Sequence, residues 1–269
     1  MEATAFRLTT RDRQILETLQ RFHELDRVQI QTLFFSDNQG GLRHANRRLS
    51  YLKASGLIQP MEQWVPQGVL QRPTLWTLTI EGEHLLGGTR RSREDQRGGI
   101  ASEHTRLSNS ISLRLYAEAK RRGWVAQVEP EIAVRAAAGL THPIPDGRVT
   151  IETPDGKFVF LIECDRGNEE RAKLTTRFRS YLDRQDGLKD ELGTNRVRVL
   201  FVTHARRLML PSTPEQNARR AENVIRYLQV LKTGKFILVT TEDQFFGNSP
   251  LTNPIWLYPG AKHPVPIFQ

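Results

Sequence analysis

The sequence predicts an α/β protein in two parts: an N-terminal helical domain closed by a β-hairpin, and a C-terminal α/β sandwich on a mixed sheet. Three observations carry that prediction. The chain has 269 residues, which suits one domain of roughly 80 to 100 residues and another of roughly 150 better than a single core. Residues 87–99, GGTRRSREDQRGG, contain no apolar side chain and are bracketed by glycine pairs, so they read as a linker. Beyond them, apolar periodicity alternates between helical and strand spacing in the order αβββαβαβ. The expected boundaries are 1–87, a linker over 88–100, and 101–269.

Composition narrows the function class. Hydrophobic residues make up 38% and charged residues 26%, the balance of an ordinary soluble protein. No apolar run approaches the roughly 20 residues that span a bilayer, and MEATAFRLTTRDR lacks the apolar core of a secretory signal. A cytoplasmic protein with no membrane partner is expected. The single cysteine, Cys164, excludes an intrachain disulfide framework and a cysteine-clustered zinc site. The seven histidines show no HxH or HExxH spacing. A formal charge of +9 suggests a polyanionic partner, most simply nucleic acid, and the positions of the arginines decide.

Three short helices are expected first. Thr9 or Thr10 caps RDRQILETLQRF, whose Ile15, Leu16, Leu19 and Phe22 form one apolar face. Asp26 caps a second helix carrying Val28, Ile30, Leu33 and Phe34. The third, GGLRHANRRLSYLKASGLI, places Leu42, Ala45, Leu49 and Leu52 on one side. Arg43, His44, Arg47, Arg48 and Lys53 take its other faces, and Gly56 suits a left-handed end. LIQPMEQWV and TLWTLTI then read as strands joined through PQGVLQRP, and a short helix follows near EGEHLLGG.

Three helices followed by a hairpin is the order of a winged helix-turn-helix, and LRHANRRLSYLKASGLI…LWTLTIEGEHLL resembles the winged-helix domains of bacterial DNA-binding proteins. The resemblance implies that the third helix enters the major groove of double-stranded DNA. Arg43, His44, Arg47, Arg48 and Lys53 would then meet bases or phosphates, with Arg72 approaching from the wing tip. The plainer reading of the same arginines is a solvated helix face.

In the C-terminal part, SEHTRLSNSISLRLYAEAKRRG reads as a long helix with Leu107, Ile111, Leu115 and Ala119 stepping by four. Strands are expected at WVAQVEPEIAV, IPDGRVTIE and KFVFLIECD. They are followed by a helix NEERAKLTTRFRSYLDRQ, a buried strand RVRVLFVT, a helix TPEQNARRAENVIRYLQVLK and a strand KFILVTT. The hairpin strands should pair antiparallel and the later ones parallel. The tail PLTNPIWLYPGAKHPVPIFQ has no period; packing across a domain and pairing with a partner both stay open.

The tripeptide Pro-Asp-Gly occurs twice, at 145–147 and 154–156. The second copy lies between strand-like runs and reads as a hairpin turn with Asp155 and Gly156 at its tip. That tip places Asp146 opposite Asp165 and Arg148 opposite Glu163. Side chains alternate along a strand, so Glu163 and Asp165 share a face, and three carboxylates converge at one sheet edge. Crowded carboxylates need an exposed position or a cation. Oxygen-only ligation suits Mg²⁺ or Mn²⁺.

This arrangement is similar to the PD-(D/E)xK nuclease fold of restriction endonucleases, resolvases and transposon endonucleases over residues 102–241. The resemblance implies a metal-dependent endonuclease in which Asp146 and Glu163 are metal ligands and catalytic residues. Asp165 stands where that motif has a lysine, as a further ligand or catalytic group. Lys173 would supply the missing cation from the following helix, or is simply a solvated lysine. Glu103 resembles the extra helix acid of some resolvases, or only favours the helix dipole.

The whole pairing, a winged helix followed by PDG…FLIECDRGNEE…K…YL, also resembles the replication-relaxation family of bacterial plasmids and mobile elements, which accommodates Asp165. It implies action on plasmid or mobile-element DNA. Two functions stay open: a DNA endonuclease, alone or with a transposase, relaxase or replication protein, and a non-catalytic DNA-binding accessory that keeps the nuclease fold as a scaffold. A homodimer suits double-strand cutting.

Overall fold

In the computed structural model, residues 7–61, 74–87, 100–138, 143–165, 167, 169–205 and 213–268 are described, without the side chains of 100–103. The chain is mixed α/β with two sheets, as the sequence predicts. It divides into two compact units, Met1–Asn109 and Ser110–Gln269. The division falls beyond the expected linker, whose residues 88–99 lie outside the described ones.

Unit 1 opens with α1 (Thr10–Phe22), started by a reciprocal capping box in which Thr9 and Asp12 satisfy each other's backbone N–H groups. After β1 (Leu25–Asp26), Asp26 and Gln29 repeat the device at α2 (Arg27–Phe34). Asn38 caps α3 (Gln39–Ala54) through Gly41 N. β2 (Ile58–Pro60) pairs antiparallel with β3 (Leu75–Leu78), which also pairs with β1. The short α4 (Ile80–Leu85) follows.

The expected stripes of α1 and α3 form the core: Ile15, Leu16, Leu19, Phe22, Ala45, Leu49 and Leu52 are all buried, while Leu42, at the start of the α3 stripe, is only half-buried. On α2 the expected face is only partly right. Ile30 is buried, but Val28 is 56% exposed, and Gln29 and Gln31 are buried instead. Both glutamines are held by polar bonds: Gln29 in the capping box, and Gln31 through Nε2 to Ser36 O and Asn38 O.

Unit 2 is built on one five-stranded sheet. The unit begins within α5 (Ile100–Arg121), which leads into β4 (Val125–Pro130), α6 (Glu131–Ala138), β5 (Gly147–Thr153) and β6 (Gly156–Asp165). Next come α7 (Arg171–Asp183), α8 (Gln185–Leu192), β7 (Val197–Thr203), α9 (Pro214–Leu231), β8 (Ile237–Thr241) and α10 (Glu242–Gly247). The strands lie in the order β4-β5-β6-β7-β8, antiparallel through β6 and parallel after it. On one face Val159, Leu161, Phe201 and Val239 pack against Leu174, Phe178 and Tyr181 of α7 and Ala221, Val224 and Leu228 of α9. Their burial removes apolar area from water at about 25 cal/mol per Å², the main stabilising contribution.

Two segments depart from the expected elements. The stretch after Pro130 is helical, not extended: EIAVRAAA is rich in strong helix formers and carries Glu131 and Arg135 at i, i+4. The expected helix over 168–185 stops at Asp183, and QDGLKDEL forms a separate α8 ending on left-handed Gly193.

The β5–β6 register also differs. Thr153 pairs with Gly156 across a two-residue connection, Pro154-Asp155. Proline has the fixed φ of a first turn position, while Gly156 takes φ +124° as the first strand residue. The tip therefore falls one residue earlier than expected, and the pairing moves by two: Gly147 faces Ile162 and Arg148 faces Leu161. Arg148 pairs bidentately with Glu129, at 2.6 and 2.7 Å, and not with Glu163.

The tail packs onto unit 2. Leu257 exchanges two 2.8 Å backbone bonds with Val239, covering the β8 edge. Trp256 is buried and its indole N–H donates to Pro250 O. Phe268 meets Trp124 and Phe158 edge to face, with centroids 5.0 and 4.6 Å away.

Candidate functional site

The first Pro-Asp-Gly copy is a placement device. Asp146 N donates to Ile162 O at 2.9 Å, and Asp146 Oδ2 accepts from Cys164 N at 2.8 Å. These bonds pin the aspartate beside β6, level with Glu163. Gly147 permits the approach of α5: a Cβ there would lie 2.8 Å from Ser112 Oγ.

Glu163 is 1% exposed, at the end of the apolar run FVFLI. The Tyr181 hydroxyl donates to its Oε1 at 2.5 Å and Arg177 Nη1 to its Oε2 at 3.0 Å. Burial raises its pKa, the neighbouring Asp146 charge raises it further, and Arg177 and Tyr181 only partly offset both, leaving it at about 8. Arg177 also reaches Glu169 Oε1 through Nη2, at 2.7 Å.

Asp146 and Glu163 line a cleft of about 750 Å³. Lys173, Thr176, Arg177 and Ser180 of α7 contribute one wall, with Glu131 and Arg135 of α6 also lining it. A carboxylate oxygen of Glu131 lies within 4.8 Å of one of Asp146. Lys173 is exposed, with its side chain at the cleft.

Asp165 is held elsewhere. Its Oδ2 accepts from Arg220 Nε at 2.7 Å and Thr203 Oγ1 at 2.9 Å; its Oδ1 accepts from Gly167 N at 2.9 Å and Arg220 Nη2 at 3.2 Å. Four donors match the roughly four lone-pair sites of a carboxylate. With its side chain fully buried, Asp165 joins β6 to α9 and does not line the cleft. Gly167 explains the next part of the ECDRG string: it sits at φ +73°, and a Cβ there would meet His204 O at 2.8 Å. The side chain of Glu103 lies outside the described residues.

In unit 1, Arg43, His44, Arg47 and Lys53 are exposed on α3, with Arg47 Nη2 3.4 Å from His44 Nδ1. Arg48 is different. Its guanidinium bonds both oxygens of Asp12, which is fully buried, and stacks 4.5 Å from the Tyr51 ring centroid. Arg72 lies outside the described residues.

Sequence reasoning missed Glu131, Glu169, Arg177 and Tyr181. Tyr181 follows Leu174 and Phe178 at i+7 and i+3, so it reads as one more core aromatic. Arg177 lies four residues after Lys173, and that spacing on one helix face is the signal that joins it to the cleft.

These features define a two-unit α/β protein with an acidic cleft walled by cations. The replication-relaxation family model matches residues 16–197, more than half the chain, and the protein belongs to that family. Membership ties it to replication and mobile elements. No curated protein matches the chain significantly. Among the described residues, no helix is long and apolar enough to cross a membrane.

Proposed function

We propose that this protein is a divalent-metal-dependent DNA endonuclease of a plasmid or mobile element. Unit 1 serves as a winged helix-turn-helix that holds double-stranded DNA, and the cleft of unit 2, a restriction-endonuclease-like domain, hydrolyses a phosphodiester. The observation that carries the reading is the alignment of Asp146 with Glu163 in a cleft walled by Lys173 and Arg177.

The residues present fit Mg²⁺ or Mn²⁺. Asp146 and Glu131 bring carboxylate oxygens within 4.8 Å of each other, Glu163 lines the same cleft, and carboxylate oxygens suit these hard cations. A bound ion supplies Lewis acidity and lowers the pKa of water for attack on phosphorus. The chain's own groups do the rest. Tyr181 and Arg177 fix the Glu163 carboxylate. Cys164 N fixes Asp146. Lys173, exposed at the cleft wall, meets the scissile phosphate and takes the charge-stabilising part that Asp165 cannot. On α3, Arg43, His44, Arg47 and Lys53 contact DNA, while Arg48 spends its hydrogen bonds on Asp12.

A second reading, a non-catalytic DNA-binding accessory, is favoured by one observation: Asp165 replaces a lysine and is saturated by Arg220 and its neighbours. Incubation of the purified chain with supercoiled plasmid separates the two. The endonuclease reading expects nicked or linear product that needs Mg²⁺ or Mn²⁺ and disappears in Asp146→Asn and Glu163→Gln. Equal product from both variants, or none with either metal, decides against it.

A further inference from the structure

Arg177 sits where the proposed cation must go. Its Nη1 lies 3.0 Å from Glu163 Oε2, and Tyr181 already holds the other oxygen of that carboxylate. Its Nη2 lies closer, 2.7 Å, to Glu169 Oε1. Glu169 Oε2 is buried without a hydrogen-bond partner among the described residues. The guanidinium side chain is 33% exposed and lines the cleft, so it has room to move. A cation that takes Glu163 Oε2 must displace a group already carrying one positive charge, since two cations crowded on one carboxylate oxygen repel strongly in a buried site.

We propose that Arg177 is an exchangeable placeholder: its Nη1 occupies Glu163 Oε2 until a divalent ion enters, then releases Oε2 and stays tethered through Glu169. The inference rests on the reading that Asp146 and Glu163 take a divalent cation. It adds that loading the site frees Nη1 as a donor inside the cleft, on the same α7 wall as Lys173 and Thr176. Glu169 is the positioning residue that keeps Arg177 from leaving the cleft.

The test reads the guanidinium directly and involves no catalysis. The full-length wild-type chain is treated with phenylglyoxal, an arginine-selective dicarbonyl, across a Mn²⁺ titration. Modification of Arg177 is quantified by digestion and mass spectrometry against Arg179, an exposed α7 arginine outside the cleft lining. Calorimetry follows Mn²⁺ uptake in parallel by wild type and Asp146→Asn, a variant that can still accept the Cys164 N–H bond. The proposal expects Arg177 modification to rise several-fold over the concentration range in which Mn²⁺ binds, and to stay flat in Asp146→Asn. Binding of Mn²⁺ to wild type with unchanged or falling Arg177 modification overturns this inference alone. No binding of Mn²⁺, or equal binding by Asp146→Asn, overturns the inference and the metal reading together.

Discussion

Arg220 holds both carboxylate oxygens of Asp165, with Nε 2.7 Å from Oδ2 and Nη2 3.2 Å from Oδ1. The pair joins the end of β6 to α9, and Arg220 Nη2 also donates to Glu169 O at 2.9 Å. Removing the cation leaves a buried charge. Arg220→Met is therefore expected to lose about 3–5 kcal/mol of unfolding free energy, measured by urea denaturation. Asp165→Asn should leave Mn²⁺ affinity unchanged in calorimetry. A large loss of metal affinity there would place Asp165 among the ligands after all.

Gly147 and Ser112 form a second relationship that the sequence hides. A methyl group at 147 would stand 2.8 Å from Ser112 Oγ, so Gly147→Ala is expected to cost roughly 1–3 kcal/mol through overpacking. Ser112→Ala in the same chain should recover much of that cost. The check is a double-mutant cycle in thermal or urea unfolding, and additive effects would contradict the contact.

Arg47 and Arg48 are neighbours with different expected phenotypes. Arg48→Ala removes charged hydrogen bonds to buried Asp12 and should cost about 1.5–3 kcal/mol of stability. Burial pushes the Asp12 carboxyl up, but bonds from Arg48 and Thr9 outweigh it and hold the pKa below its ordinary value. Its stabilising contribution is present above the unfolded pKa and lost as pH falls through the folded one. Wild type should therefore lose stability in acid faster than Arg48→Ala. Arg47→Ala should change stability by less than about 0.5 kcal/mol and instead weaken duplex DNA binding, lowering the salt slope by about 1. Urea unfolding and fluorescence anisotropy over a salt series distinguish the two.

Glu163 gives a dependence of opposite sign. Burial, and after it the neighbouring Asp146 charge, raise the Glu163 pKa from the ordinary 4.5 to about 8. Between those values the unfolded state binds fewer protons, so stability falls as pH rises. The contribution is complete below the unfolded pKa and lost through the folded one. With a chelator present, Glu163→Gln should gain stability relative to wild type as the buffer moves from roughly pH 5 to pH 9. A constant difference across that range would show that Glu163 titrates at an ordinary value.

Much of this architecture was legible because it depends on local rules. The stripes of α1 and α3 predicted their buried faces, and the apolar run FVFLI predicted a central strand. The α2 face misled because Gln29 and Gln31 are buried through polar bonds that hydrophobic periodicity does not see. α6 was misread because a short apolar run fits helix and strand alike. Proline chemistry moved the hairpin tip from Asp155-Gly156 to Pro154-Asp155, and one residue of error there shifts the facing pairs by two. The motif pointed to Asp146 and Glu163 together. It could not show that Asp165 turns to Arg220, a residue 55 positions away, or that Arg177 bridges two acids.

The central claim is that Asp146 and Glu163 form one divalent-cation site. Calorimetric titration of Mn²⁺ into wild type, Asp146→Asn and Glu163→Gln tests it most directly. The account predicts saturable binding by wild type and loss of that binding in each variant, with both variants still folded by circular dichroism. Binding of equal strength in all three chains, or none in wild type, would contradict it.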